Sequence, residues 1–271
     1  MKLMLFLLLL LLSCRIATKE SVAYKYLTKG LEKEKLQDYK SAIQYYDQAI
    51  EIDSNYIYAY NNRGYMNSLL SNYKEAIVDY NKALRLNPLY TKSLYNRAIA
   101  RYNTESYTEA LSDLNKVIEI YPKDFSSYLT RGSVKFMLED YQGALEDYSY
   151  CIQLNPESAS AYVNRANTKR KLNENAEAMK DFDQAIEISP RYSYAFNARG
   201  YAKMDMKDYL GAIRDYTASI TIDSTNSFTY SSRAWIKFTL GDQSGACDDW
   251  LQAGMLGNED AYKAMEKYCN R

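Results

Sequence analysis

The apolar and small positions of this chain recur in a pattern thirty-four residues long. It is plainest from Ile57 to Tyr90, IYAYNNRGYMNSLLSNYKEAIVDYNKALRLNPLY. Further copies begin at Ala23, Thr91, Phe125, Ala159, Ser193 and Ser227, so seven align with no gap. The apolar residues within each copy fall at helical spacing in two successive stretches. A period of this length is the mark of a solenoid, whose units bury their apolar faces only against neighbours.

Written in register, the fourth position is aromatic or leucine: Tyr26, Tyr60, Leu94, Tyr128, Tyr162, Phe196 and Tyr230. The eighth is small (Gly30, Gly64, Ala98, Gly132, Ala166, Gly200, Ala234), and the twentieth is alanine in every copy from Ala42 to Ala246. The twenty-fourth is large: Tyr46, Tyr80, Leu114, Tyr148, Phe182, Tyr216 and Trp250. Small residues at eight and twenty let two helix backbones approach, and the large ones fill the seam. Asp38, Asn72, Asp140, Asp208 and Asp242 stand where a second helix needs an N-cap. Pro88, Pro122, Pro156 and Pro190 end that helix.

This register resembles the tetratricopeptide repeat, with its Leu/Gly/Tyr pattern in helix A and Ala/Phe/Ala/Pro in the second half. The resemblance implies an all-α fold, a right-handed α-solenoid of seven 34-residue helix-turn-helix repeats over residues 23–258. Its A helices would line a concave face. Ser54 and Ser224 replace the terminal proline in two copies, and Asn175 replaces the usual aromatic residue that starts helix B. Gly254 and Gly257 end the last repeat, and residues 259–271 read as a capping helix and tail covering the terminal apolar face.

The N-terminus departs from the repeat. A lysine, an apolar run of about ten residues and a small residue make a secretory signal over residues 1–13. That run is shorter than the roughly 20 residues of a membrane-crossing helix. Leu11-Leu12-Ser13-Cys14 resembles the bacterial lipobox, which implies cleavage before Cys14 and lipidation of that cysteine; the alternative is an ordinary cleaved signal. Residues 14–22 would then be a lipidated cysteine and short polar tether.

Composition removes several functions. With no histidine, the commonest general base and zinc ligand are missing. Lys and Arg number 34 and Asp and Glu 34, so no net field draws the chain to nucleic acid. Neither a catalytic set nor metal-ligand spacing is found, and no cofactor is expected. Tyrosine, at 29 copies, exceeds what a helical core requires.

Two charged columns run through the repeats. The seventh position is Arg63, Arg97, Arg131, Arg165, Arg199 and Arg233, with Lys29 in the first copy; the twenty-third is aspartate from Asp79 to Asp249, with Tyr45 in the first. These read as a ladder bracing A helices against B helices. Whether each Asp meets its own repeat's Arg or the next one's stays open; in the second case Lys267 would serve Asp249.

Positions two, five, six, nine and twelve would face the concave side. They supply Tyr24, Tyr58, Tyr194 and Phe228 at two, Asn61, Tyr95 and Asn197 at five, Asn62, Asn96 and Asn164 at six, and Tyr65, Asn167, Tyr201 and Trp235 at nine. Tyrosine and asparagine offer rigid contact area and two-way hydrogen bonding, suited to a neutral peptide or glycan. The sixth column resembles in part the asparagine ladder by which some family members hold an extended peptide. No copy has lysine at position five, which argues against the carboxylate clamp of chaperone-tail receptors. Cys151 reads as a packed thiol, while Cys247 and Cys269 lie on elements that should touch, making a disulfide possible.

The expectation is a membrane-anchored scaffold or adaptor that binds a protein or extended peptide partner of the cell envelope in its concave groove. It would be a secreted lipoprotein of the bacterial outer membrane and not an enzyme. The alternative is a peptide- or carbohydrate-binding lipoprotein of an uptake system.

Overall fold

The computed structural model describes the backbone of residues 2–269 and the side chains of residues 19–269. The described residues form fifteen α-helices and no strand. They divide into two compact units, Met1–Leu138 and Glu139–Arg271, the division falling inside the fourth repeat.

The first unit contains α1 (Lys2–Lys35), α2 (Tyr39–Ile52), α3 (Ile57–Leu69), α4 (Tyr73–Leu86), α5 (Thr91–Asn103), α6 (Tyr107–Ile120) and α7 (Phe125–Met137). Helices α1 and α2, α3 and α4, and α5 and α6 are packed hairpins, and each second helix also packs on the A helix that follows. In the second unit, α8 (Tyr141–Leu154) packs on α9 (Ala159–Lys171). Hairpins follow from α9 and α10 (Asn175–Ile188), α11 (Ser193–Asp205) and α12 (Tyr209–Ile222), and α13 (Ser227–Thr239) and α14 (Gln243–Met255). Helix α15 (Glu259–Cys269) then packs on α14 as the cap.

The seam of each hairpin is built as the register requires. The twentieth-position alanines Ala42, Ala76, Ala110, Ala178, Ala212 and Ala246 are fully buried, as are Tyr46, Tyr80, Phe182, Tyr216 and Trp250. A methyl added at Gly200 would stand 2.7 Å from the ring of Tyr216, so glycine is what admits the tyrosine.

Asp38, Asp140, Asp208 and Asp242 cap their helices by accepting a bond from the backbone N–H three residues on. Asn72 makes no such side-chain bond, so the cap expected there is absent. Caps also stand before A helices, where Asp124, Ser158 and Asn226 accept from Ser127, Ala161 and Thr229. Helix α10 starts at Asn175 and is as long as the other interior B helices, with no side-chain cap from Glu174.

The turn between A and B helices passes through one left-handed residue in every copy: Gln37, Ser71, Glu105, Glu139, Asn173, Lys207 and Gly241. Only the last is the residue for which that conformation is free of steric cost.

Helix α1 is continuous from Lys2 to Lys35 and includes the stretch read as a polar tether. The cause is compositional: no proline occurs there and no glycine precedes Gly30. The side chains of Ser13 and Cys14, the sites of the expected cleavage and lipidation, lie outside the described residues. Among the described residues, no helix is long and apolar enough to cross a membrane.

Candidate functional site

The charged columns are structural. Arg97 donates from Nε and Nη2 to both carboxylate oxygens of Asp113 at 2.8 and 2.6 Å. Arg63 and Asp79, Arg165 and Asp181, Arg199 and Asp215, and Arg233 and Asp249 repeat the fork. Each Asp among these five therefore meets the Arg of its own repeat. The remaining guanidinium nitrogen reaches back one repeat, as from Arg97 to Asn81 and from Arg199 to Asp183. One side chain thus ties three helices together. Lys169, Lys203 and Lys237 add a second cation to Asp181, Asp215 and Asp249 at 2.8 Å. Lys267, the alternative partner for Asp249, lies instead over the Tyr268 ring. In the first copy the pair becomes a cation–π contact, with Lys29 Nζ 5.6 Å from the rings of both Tyr26 and Tyr45.

With that ladder spent on the fold, the candidate site is the A-helix surface that carries the expected tyrosines and asparagines. In the first unit α3, α5, the end of α6 and the start of α7 enclose an open cleft of 680 Å³. Four of the expected residues line it: Asn61, Tyr65, Tyr95 and Asn96. Tyr65 is exposed, and the Tyr95 hydroxyl lies 3.3 Å from that of Thr130. Lys92 and Ile99 also line the cleft, from positions two and nine of the third copy. Sequence reasoning named those columns but passed over these two because they are neither aromatic nor asparagine. Val117 near the end of α6 and Tyr121 just after it belong to no column that the sequence singled out for the groove.

Asn61 is a different case from its neighbours. It is 5% exposed, accepts a bond from Ser93 Oγ at 2.9 Å and donates to Asn62 Oδ1 at 3.1 Å. Its amide fastens one A helix to the next, so it forms the floor of the cleft and has little left for a ligand. Tyr24 and Tyr58 lie outside the cleft and are well exposed. The Tyr58 ring stands edge-on to Tyr56 and Tyr90 at 6.0 and 5.9 Å.

In the second unit the expected residues are spread along α9 and α11. Asn164 and Asn167 are half-buried. Tyr194 is exposed beside Tyr192, with ring centroids 5.9 Å apart. Asn197 is buried and donates to Thr229 Oγ1 at 2.7 Å, repeating the role of Asn61. The Tyr201 hydroxyl meets that of Ser232 at 2.6 Å while its ring packs on Tyr216.

Cys247 and Cys269 are joined by a disulfide, and Cys151 is fully buried in α8. Among the described residues, no group of three or more Cys, Asp or Glu side chains is placed to hold a metal ion.

Family models described as tetratricopeptide repeat match residues 57–90, 92–124 and 159–192, and one described as TPR repeat matches residues 30–68. The fold is shared with a tetratricopeptide repeat protein from Parabacteroides merdae, at a TM-score of 0.79 and 20% identity, over 92% of this chain and 99% of that one. Pseudomonas aeruginosa pilF aligns at 0.63 and 18% identity over 76% of this chain and 94% of its own. YrrB, described as a TPR protein with an unusual peptide-binding site, aligns at 0.53 and 20% identity over 69% and 97%. No curated protein sequence matches the chain. The helix pairs, their register and these matches define a repeat protein of the interaction-scaffold type. The chain belongs to the tetratricopeptide repeat family.

Proposed function

We propose that this protein is a membrane-anchored scaffold that holds an extended segment of a partner protein in the cleft of its first unit. The observation that carries the reading is the 680 Å³ cleft, in which Tyr65 and Tyr95 offer aromatic surface and Asn96 an amide with both donor and acceptor. An extended chain presents alternating N–H and C=O groups, which such a wall can pair without demanding a charge. The peptide-binding description of YrrB agrees with this class of ligand. The charged columns are engaged in the ladder and Asp124 at the cleft caps α7, so the protein works by binding and not by acting on the bound chain.

The anchor is Cys14, exposed by cleavage after Ser13 and lipidated, which places the protein in the bacterial cell envelope, at the outer membrane. The Cys247–Cys269 disulfide supports an oxidising compartment. A second reading, capture of a carbohydrate or free peptide for uptake, draws on the exposed rings of Tyr24, Tyr58 and Tyr194, which would stack on sugar faces.

The test is a crosslinked pull-down from detergent-solubilised membranes, comparing wild type with Tyr65→Ala, Tyr95→Ala and Asn96→Ala combined. A protein captured by wild type and lost from the variant supports the scaffold. Identical captures from both would sink the cleft assignment, and glycan-dependent thermal shifts lost in Tyr58→Ala would favour uptake. Metabolic labelling with an alkynyl fatty acid, present in wild type and absent in Cys14→Ala, tests the anchor separately.

A further inference from the structure

Both tryptophans of the chain lie in one place, and the last helix of the described residues packs over the buried Trp250, while Trp235 at the edge is 45% exposed. Trp235 and Trp250 meet edge to face at 5.0 Å, and Tyr268 of α15 stacks on Trp250 at 5.8 Å. Phe238 closes the cluster 4.9 Å from Tyr268. Trp250 is fully buried, and its Nε1 has no hydrogen-bond partner.

The helix over this cluster is short, and Met265 and Tyr268 pack on the array beside its two buried alanines. It has eleven residues, of which only Ala261 and Ala264 are buried, while Tyr262, Lys263, Glu266 and Lys267 face solvent. Three helical turns are too few to persist alone in water, where isolated helices need about 12–15 residues. Its two ends are tied instead. At the start, Gly257 turns the chain at φ +88° and the Asn258 side chain accepts from the N–H of Ala261 at 2.9 Å. At the far end Gln243 Nε2 donates to the carbonyl of Tyr268 at 2.7 Å, and Cys269 is bonded to Cys247 of α14. The arrangement is a hinge at Gly257 and a latch at Cys269.

We propose that the Cys247–Cys269 disulfide is a thiol–disulfide exchange site that latches α15, and that a dithiol reductant releases the helix and uncovers the aromatic cluster. A thiolate of the reductant attacks one sulfur, giving a mixed disulfide and freeing the other cysteine. The second thiol of the reductant then resolves it. Two electrons and two protons pass to Cys247 and Cys269, and the reductant leaves as its own disulfide. Both cysteines are half-buried, whereas Cys151 is fully buried, so exchange is directed to the cap. Repeat arrays couple only nearest neighbours, so losing a terminal element leaves the other helices in place.

The experiment uses the oxidised full chain treated with dithiothreitol, then with a thioredoxin-type oxidoreductase. Alkylation and mass mapping report the cysteines, tryptophan emission reports the cluster, and deuterium uptake reports each helix. The expected result is alkylation at Cys247 and Cys269, a red shift in emission, and loss of protection confined to the peptides spanning α15. All three should reverse on reoxidation. Cysteines that resist both reductants would refute the exchange site. Unchanged emission and α15 uptake with both cysteines alkylated would show that packing alone holds the cap. Protection lost throughout the chain would make the bond a staple of the whole fold. A Cys247→Ser/Cys269→Ser chain should match the reduced protein without reductant; if it does not fold, reduction of the wild type decides.

Discussion

Gly64 faces the ring of Tyr80 across the α3–α4 hairpin so closely that a methyl there would stand 2.9 Å from Cε1. The pairing extends through the register: copies with alanine at this position carry no tyrosine opposite, as in Ala98 with Leu114, Ala166 with Phe182 and Ala234 with Trp250. Gly64→Ala should therefore destabilise by about 1–3 kcal/mol through overpacking, even though alanine is the better helix former by about 1 kcal/mol. Adding Tyr80→Leu, which recreates the third copy's pair, should recover more than additivity allows. Urea unfolding of the two single variants and the double variant measures the coupling. A coupling near zero would mean the ring simply moves aside.

The ladder should cost more to break than a cap. Asp113 is 1% exposed and takes charge from Arg97 and Arg101, so Asp113→Ala leaves two guanidinium groups facing a void. The expected loss is about 3–5 kcal/mol, the range for removing one partner of a buried ion pair. Asp38→Ala removes one cap hydrogen bond at the start of α2 and should cost about 1 kcal/mol. Urea midpoints at low and high salt check both, and the Asp113 loss should persist at high salt because the pair is shielded from solvent. Equal losses would contradict the ladder's structural role.

How much of this was legible depends on whether a side chain's environment repeats. The Arg63–Asp79 pair could be read because the same two types stand sixteen residues apart in later copies. Which Asp each Arg meets could not, since the Asp sixteen residues on and the Asp eighteen residues back both recur with the same period. The left-handed turn was invisible for the opposite reason. Gln37, Ser71, Glu105 and Lys207 adopt φ near +60°, and residues of those types carry no signal for it. The groove columns were named together, but Asn61 and Tyr65 look alike there and behave differently. Only the packing of α3 against α5 shows that Asn61 faces Ser93 and that Tyr65 faces open space.

Alkali should unfold the protein earlier than an average helical repeat. Burial raises the phenol pKa of Tyr46, Tyr80 and Tyr216 above its ordinary value, helped at Tyr46 by the Glu34 carboxylate and at Tyr216 by Tyr201. A phenol whose folded pKa lies above the unfolded value of about 10 keeps its proton longer in the folded state. Its stabilisation is whole below that pH and drains away as pH rises towards the folded value. Tyr216 has no hydrogen-bond partner for its hydroxyl, and Phe182 fills the same position in the fifth copy. Tyr216→Phe should therefore leave the melting temperature at pH 7 unchanged or higher, and flatten its fall between about pH 10 and 12. A parallel fall in both proteins would show that Tyr216 does not govern the transition.

Asn61 and Tyr65, one turn apart on α3, should separate the fold from the site. Removing the Asn61 amide orphans Ser93 Oγ in a buried seam and leaves Asn62 without its donor. Asn61→Ala should destabilise by about 1–3 kcal/mol, the penalty for stranding a buried polar group. Asn61→Asp keeps an acceptor for Ser93 but cannot donate to Asn62, and its buried charge should cost at least as much. Tyr65 is exposed and bounds the cleft, so Tyr65→Ala should move stability by less than about 0.5 kcal/mol, as for surface positions. Its effect should fall on retention of the cleft's partner. Thermal unfolding paired with the crosslinked capture assay on the same proteins gives both numbers. If Tyr65→Ala unfolds the chain as readily as Asn61→Ala, the ring belongs to the core and the cleft loses its main aromatic wall. If it binds normally at normal stability, the partner lies elsewhere on the molecule.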